Sequence, residues 1–174
     1  MQTQMHRHGT GSSSLSLPGL PLPGLAAAAI ALAALSGPVR AESDANGFVH
    51  TTPDQVKWQT SESTPQAVVE GDPSKPGIYV VRVRFPPHTF SMPHTHSTDR
   101  HVVVLKGTWY MGVGDKFDPA TAIAMPPGSY AKHPAGGVHW DGAKDEEVEV
   151  QIIGEGPVKT ELVHKDGPMF GREK

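Results

Sequence analysis

The sequence predicts an all-β fold, a single sandwich or barrel. Two observations carry this. Short stretches alternate apolar and polar residues with period two, and they recur at roughly 8–12-residue intervals. Gly and Pro, 19 and 17 of the 174 residues, punctuate the gaps, and no long segment carries a helical apolar period.

Residues 1–41 stand apart from the fold. Arg7 lies in a Ser/Gly-rich lead, an apolar run extends from Leu25 to Leu35, and Val39-Arg40-Ala41 offers small residues where a signal peptidase reads. The run is shorter than the ~20 apolar residues a membrane span needs. The expectation is a signal peptide cleaved after Ala41, with no twin-arginine pair and hence the general secretion route. The mature protein would then be periplasmic or extracellular, without a membrane span. An N-terminal membrane anchor is the alternative.

Residues 42–76 are expected to form a polar, turn-rich arm, with Pro53, Pro65, Pro73 and Pro76. Thr52-Pro53-Asp54-Gln55 starts a single helical turn, with Val56 and Trp58 turning inward. The barrel is expected over 77–165. Tyr79, Val81, Val83 and Phe85 alternate with Val80, Arg82 and Arg84, giving a strand with one polar face. Val102 to Leu105 is apolar on both faces, which suits a strand between two sheets. Gly107 and Gly112-Val113-Gly114-Asp115 flank a strand at Thr108 to Met111. Ala124-Met125 leads into the turn Pro126-Pro127-Gly128, and Tyr130 to His133 forms a short strand before Pro134-Ala135-Gly136-Gly137. Val148, Val150 and Ile152 alternate with Glu147, Glu149 and Gln151. Residues 166–174 read as a loose tail.

Removing residues 1–41, which hold Arg7, Arg40 and no acidic residue, takes the net charge from −3 to −5. An acidic chain argues against nucleic-acid binding, which needs a basic face. There is no cysteine, which excludes disulfides, thiolate ligation and a cysteine nucleophile. The roughly 130 remaining residues suffice for one domain with a core and not for two.

The chemistry concentrates in two histidine motifs. His94-Thr95-His96 is followed eleven positions later by Gly107. Gly128 is followed by five residues, Pro134, one residue, Gly136, two residues and His139. On a strand, residues two apart share a face, so His94 and His96 can reach one point. A third imidazole from another strand would make a metal site.

This two-part pattern resembles the cupin superfamily. More loosely, His94 to Arg100, Gly107 to Gly112 and His139 to Asp145 resemble a group of small secreted bacterial single-domain cupins. Three positions depart from the family pattern: His88 stands where a leading Gly is expected, Arg100 where the motif has Glu, and Ala143 where Asn is usual. The resemblance implies a double-stranded jelly-roll β-barrel. It implies one divalent ion held by His94, His96 and His139, and imidazole ligands leave Zn, Fe, Mn, Cu and Ni all open.

Arg100 cannot ligate, since its guanidinium offers no lone pair. It is expected to point outward and pair with Asp99 or Glu147. Pointing inward, it would need an anion such as a carboxylate substrate between itself and the ion. His101 supplies a fourth ligand only if its strand carries a bulge, and is expected on the opposite face. His133 is expected near the pocket mouth or exposed. Trp109, Tyr130 and Trp140 are candidates for core or pocket wall.

Two function classes follow from the resemblance. One is a metal-dependent enzyme acting on a small molecule, an oxygenase or isomerase. The other is a non-catalytic module of the cell envelope that binds or senses metal or a small ligand. Pairing of two copies through edge strands is implied by analogy alone.

Overall fold

The computed structural model describes residues 43–59 and 64–172, and the expected signal peptide over 1–41 lies outside the described residues. The chain forms β1 (Gln66–Glu70), β2 (Gly77–Phe85), β3 (Thr89–Ser91), β4 (His94–His96), β5 (Arg100–Lys106) and β6 (Trp109–Val113). It continues with β7 (Ile123–Met125), β8 (Tyr130–His133), β9 (His139–Ala143), β10 (Val148–Gly156), β11 (Thr160–Leu162) and β12 (Phe170–Arg172). Helical structure among the described residues amounts to two short 3-10 turns.

The strands make two antiparallel sheets. The first runs β1-β2-β10-β5-β8. The second runs β11-β4-β9-β3-β12, and β6 pairs the other edge of β9 and carries β7 beyond it. This is a jelly roll, as the cupin resemblance implied, and all-β, as the alternating pattern predicted.

Period-two alternation sets which side chains meet. Tyr79, Val81, Val83 and Phe85 from β2 turn inward beside Val102 and Val104 of β5 and Val148, Val150 and Ile152 of β10. Trp109 and Ala143 join this core from the second sheet. Each fully buried Val or Phe stabilises the fold by about 1.5–3 kcal/mol relative to exposure. The outer face of the first sheet is polar, as expected. Arg84 Nε donates to Glu149 at 3.0 Å and Arg82 Nε to Gln151 at 3.1 Å, while the Trp58 ring lies 3.8 Å beneath the Arg84 guanidinium.

Three features differ from the sequence expectation. Residues 66–70, placed in the arm, form β1, because Val68 continues the inner apolar layer beside Val81 of β2. Residues 170–172, placed in the tail, form β12 on β3, and Phe170 packs edge-on to Phe85 with ring centres 6.4 Å apart. β5 is not covered on both faces: Val103 is half-buried and Leu105 is exposed on the outside.

Two turn residues fix the frame of the site. Gly107 ends β5 at φ 70°, and a Cβ there would strike the carbonyl of Glu147. His88 replaces the expected glycine yet keeps a left-handed backbone, φ 60°, while its amide donates to Lys144 O at 2.6 Å.

Candidate metal centre

His94 and His96 lie on one face of β4, as period two requires, and both are buried. His139 is the cross-strand partner of His94 on β9. It is placed there by the preceding turn, in which the Gly137 amide donates to Pro134 O at 2.9 Å. Asp99 braces that turn: its Oδ1 accepts from the Ala135 amide at 2.8 Å, and Lys132 pairs with Oδ2 at 2.6 Å.

The three imidazoles converge. Their candidate ligand atoms all lie within 4.8 Å of one another, and the Nε2 atoms of His94 and His96 are 3.1 Å apart. Two imidazole nitrogens on one tetrahedral ion at about 2.0–2.1 Å would be separated by a little over 3 Å. The Nδ1 atoms are tied elsewhere. His94 Nδ1 donates to Met92 O at 2.7 Å and His139 Nδ1 to Gly137 O at 3.0 Å. His96 Nδ1 meets the Thr160 hydroxyl at 2.9 Å across the β4–β11 pair. A carbonyl accepts, so the proton on His94 and His139 sits on Nδ1 and the Nε2 lone pair is free. This outer support is the arrangement that metal-bound histidines use. His139 Nε2 is buried with no partner, an orphan that an ion would satisfy. The residues present therefore fit a divalent ion.

The electrostatics also suit neutral ligands. Burial, and after it the Arg100 charge, holds His96 far below the usual imidazole range. Burial lowers His139 and pushes His133 down to about 3.

Arg100 faces inward, against expectation. The partners foreseen for it are taken: Asp99 by Lys132, and Glu147 by Lys106 at 3.1 Å. Its place follows from the register of β5, in which residues 100, 102 and 104 share the inner face. Arg100, Gly154 and Tyr79 stand in one cross-strand row, with His133 at the other end. Gly154 leaves room in that row for the Tyr79 ring, whose hydroxyl occupies the space a Cβ would take. Arg100 Nη1 contacts His96 Nε2, and Arg100 Nε is buried without a partner. Desolvation lowers the Arg100 pKa.

His133 is fully buried rather than exposed, with its ring 3.7 Å from that of His139 and both ring nitrogens unpartnered. Trp109 walls the cavity and stacks on His133 at 5.7 Å. His101 lies on the outer face, where Nδ1 meets the hydroxyl of exposed Tyr130 at 2.7 Å, so neither reaches the site. Trp140 is buried on the far side of β9 against Phe90 and Phe117, away from the cavity.

The sequence reasoning missed Asp141. It is buried on the cavity wall, two residues past His139 and so on the same face of β9, which was the available signal. Ser91 from β3 donates to Asp141 Oδ1 at 3.0 Å and accepts from its amide at 3.0 Å. Asp141, His133 and His139 form a second group whose donor atoms lie within 4.8 Å of one another. The cavity has a volume of about 250 Å³, and Gln66, Met169 and Phe170, from segments placed outside the barrel, contribute to its lining.

A family model described as the ChrR cupin-like domain matches residues 46–159. The chain belongs to this family. Solved structures share the cupin fold. The polyketide cyclase RemF from Streptomyces resistomycificus aligns at a TM-score of 0.57 with 14% identity, covering 67% of this chain and 85% of that one. The cupin-2 domain protein Rru_A2000 from Rhodospirillum rubrum aligns at 0.54 with 17% identity, over 68% and 82%. The DMSP lyase DddQ from Ruegeria pomeroyi DSS-3 aligns at 0.54 with 14% identity, over 65% and 64%. No curated protein matches the chain in sequence. At these identities the likeness carries the cupin fold, and the chemistry has to be argued from the residues.

Proposed function

We propose that this cupin binds one divalent metal ion through Nε2 of His94, His96 and His139 and works as a metal-dependent enzyme on a small molecule. The observation that carries this is the set of three converging nitrogens, two with Nδ1 tied to a backbone carbonyl and the third to a hydroxyl. Three protein ligands leave coordination positions open, which separates catalytic sites from closed structural ones, and such an ion supplies Lewis acidity or redox chemistry to a bound molecule.

The chain adds polar groups beside those positions. Asp141 keeps one oxygen free of the Ser91 hydroxyl and takes or returns a proton there. His133, kept neutral by burial, offers an unpartnered ring nitrogen as a hydrogen-bond partner to a bound molecule. Trp109 and the apolar layer of the first sheet give the cavity an apolar flank for the bound molecule. The leader-like composition of residues 1–41 supports a location outside the cytoplasm, which fractionation of cells carrying the tagged full chain tests.

Titration of the metal-free protein with cobalt(II) tests the metal centre. A saturable visible band at one equivalent is expected, absent in His139→Ala. A band unchanged in that variant, or none in the wild type, refutes the reading.

A further inference from the structure

We propose that Arg100 makes this cavity an anion site, that its ligand is a small monocarboxylate with an apolar tail, and that anion and metal bind cooperatively. The proposal rests on the metal-centre reading and adds the class of ligand to it.

The charge on Arg100 is only weakly compensated. Arg100 makes no ion pair among the described residues, and its nearest polar contacts are imidazole nitrogens. Its Nε is shut off from water without a partner. A guanidinium held this way is unfavourable unless an anion meets it. Asp141 is the one acidic side chain on the cavity wall; its charge favours the guanidinium, but it makes no ion pair with it, and its Oδ1 is engaged by Ser91.

The second step is a conflict over one imidazole. Arg100 Nη1 contacts both ring nitrogens of His96, so the guanidinium lies against the imidazole whose Nε2 an ion would take. A divalent cation and a guanidinium on one imidazole repel each other unless negative charge stands between them. A carboxylate resolves this. One oxygen faces the ion, and the guanidinium swings off His96 to take the other in the paired geometry it favours.

The third step is shape. Val81, Val83, Phe85, Val150, Ile152 and Phe170 form an apolar stretch of the wall, interrupted by Gln66, and Arg100 is the one lysine or arginine in the lining. That selects a single acidic group and an aliphatic or aromatic remainder. A volume of about 250 Å³ holds roughly eight non-hydrogen atoms at ~30 Å³ each. Coupling is reciprocal, so the anion tightens metal binding by the same factor as the metal tightens anion binding.

The test measures zinc affinity of the full chain by chelator competition, with and without saturating hexanoate, in the wild type, Arg100→Gln and Arg100→Lys. Acetate and 1-hexanol supply charge without tail and tail without charge. In the wild type hexanoate should tighten zinc at least tenfold, acetate less, and hexanol not at all. Arg100→Gln should bind zinc more tightly than wild type without anion and lose most of the hexanoate effect, and Arg100→Lys should keep part of it. Circular dichroism melts verify that each variant is folded, and Arg100→Lys decides alone if Arg100→Gln is not. Zinc bound without any hexanoate response, or a response undiminished in the variants, overturns the proposal and leaves the metal centre standing. Acetate as effective as hexanoate overturns the role of the apolar wall. No zinc binding under any condition overturns the metal centre and this proposal together.

Discussion

Arg100 stands directly opposite His133 across the β5–β8 pair, and both side chains point into the cavity that His94, His96 and Asp141 line. In the cupin pattern that the sequence resembles, a glutamate is usual where this chain has Arg100. A cation thus stands where an anionic ligand is usual, with a neutral imidazole across from it and Asp141 as the one acidic group on the wall.

Arg100→Glu should therefore raise metal affinity. It removes the contact on His96 Nε2 and returns a carboxylate to the position where the motif carries one. Competition with a metallochromic dye should show at least tenfold tighter zinc binding. Equal or weaker binding would mean that Arg100 does not oppose the ion.

Thr160→Val should weaken metal binding about tenfold, the range found when an outer partner of a ligating histidine is lost. Thr160 is exposed and holds His96 Nδ1 at 2.9 Å, so stability should hardly change. The same dye titration, run beside a thermal melt, separates the two effects. An unchanged affinity would show that the β4–β11 pairing positions His96 without the hydroxyl.

Acid should destabilise the metal-free protein. His96, His133 and His139 have pKa values depressed chiefly by burial, so they are neutral when folded and protonate more readily when unfolded. Their contribution is complete above the unfolded value near ~6.5 and declines as pH falls toward the folded values, about 3 for His133. Each such group costs at most ~1.4 kcal/mol per pH unit across that window. Denaturant melts between pH 7 and pH 4 should show this slope, and His133→Asn should flatten it. A stability independent of pH over that range would contradict the burial of neutral imidazoles.

His88→Gly should stabilise the fold. The left-handed backbone at φ 60° costs an L-residue roughly 1–2 kcal/mol that glycine does not incur, less the entropy glycine loses on folding. A net gain of about 0.5–1 kcal/mol, read as a small rise in Tm, is expected. A lower Tm would mean that the His88 side chain holds the β2–β3 turn by contacts of its own.

Much of this architecture was legible because period two is strong where one face is buried. β2 and β10 show it, with Tyr79 to Phe85 and Val148 to Ile152 turned inward. β5 was ambiguous, since Val103 and Leu105 are as apolar as the buried Val102 and Val104. The inner face could not be chosen there, and with it went the direction of Arg100. The three-residue strands β3, β11 and β12 are too short to carry a period, and long-range pairing alone defines them. The His94, His96 and His139 cluster was readable because spacing on one strand and a Pro/Gly turn place it locally. Asp141 was readable by the same rule and was overlooked. Gln66, Met169 and Phe170 reach the cavity only through tertiary folding.

The most direct test of the central claim is the metal content of the purified full chain by elemental analysis, beside a His94→Ala/His139→Ala variant of equal circular dichroism. About one divalent ion per chain in the wild type, lost in the variant, is the result predicted from the three-histidine centre. A wild type that stays metal-free after reconstitution, or a variant that keeps its metal, would contradict it.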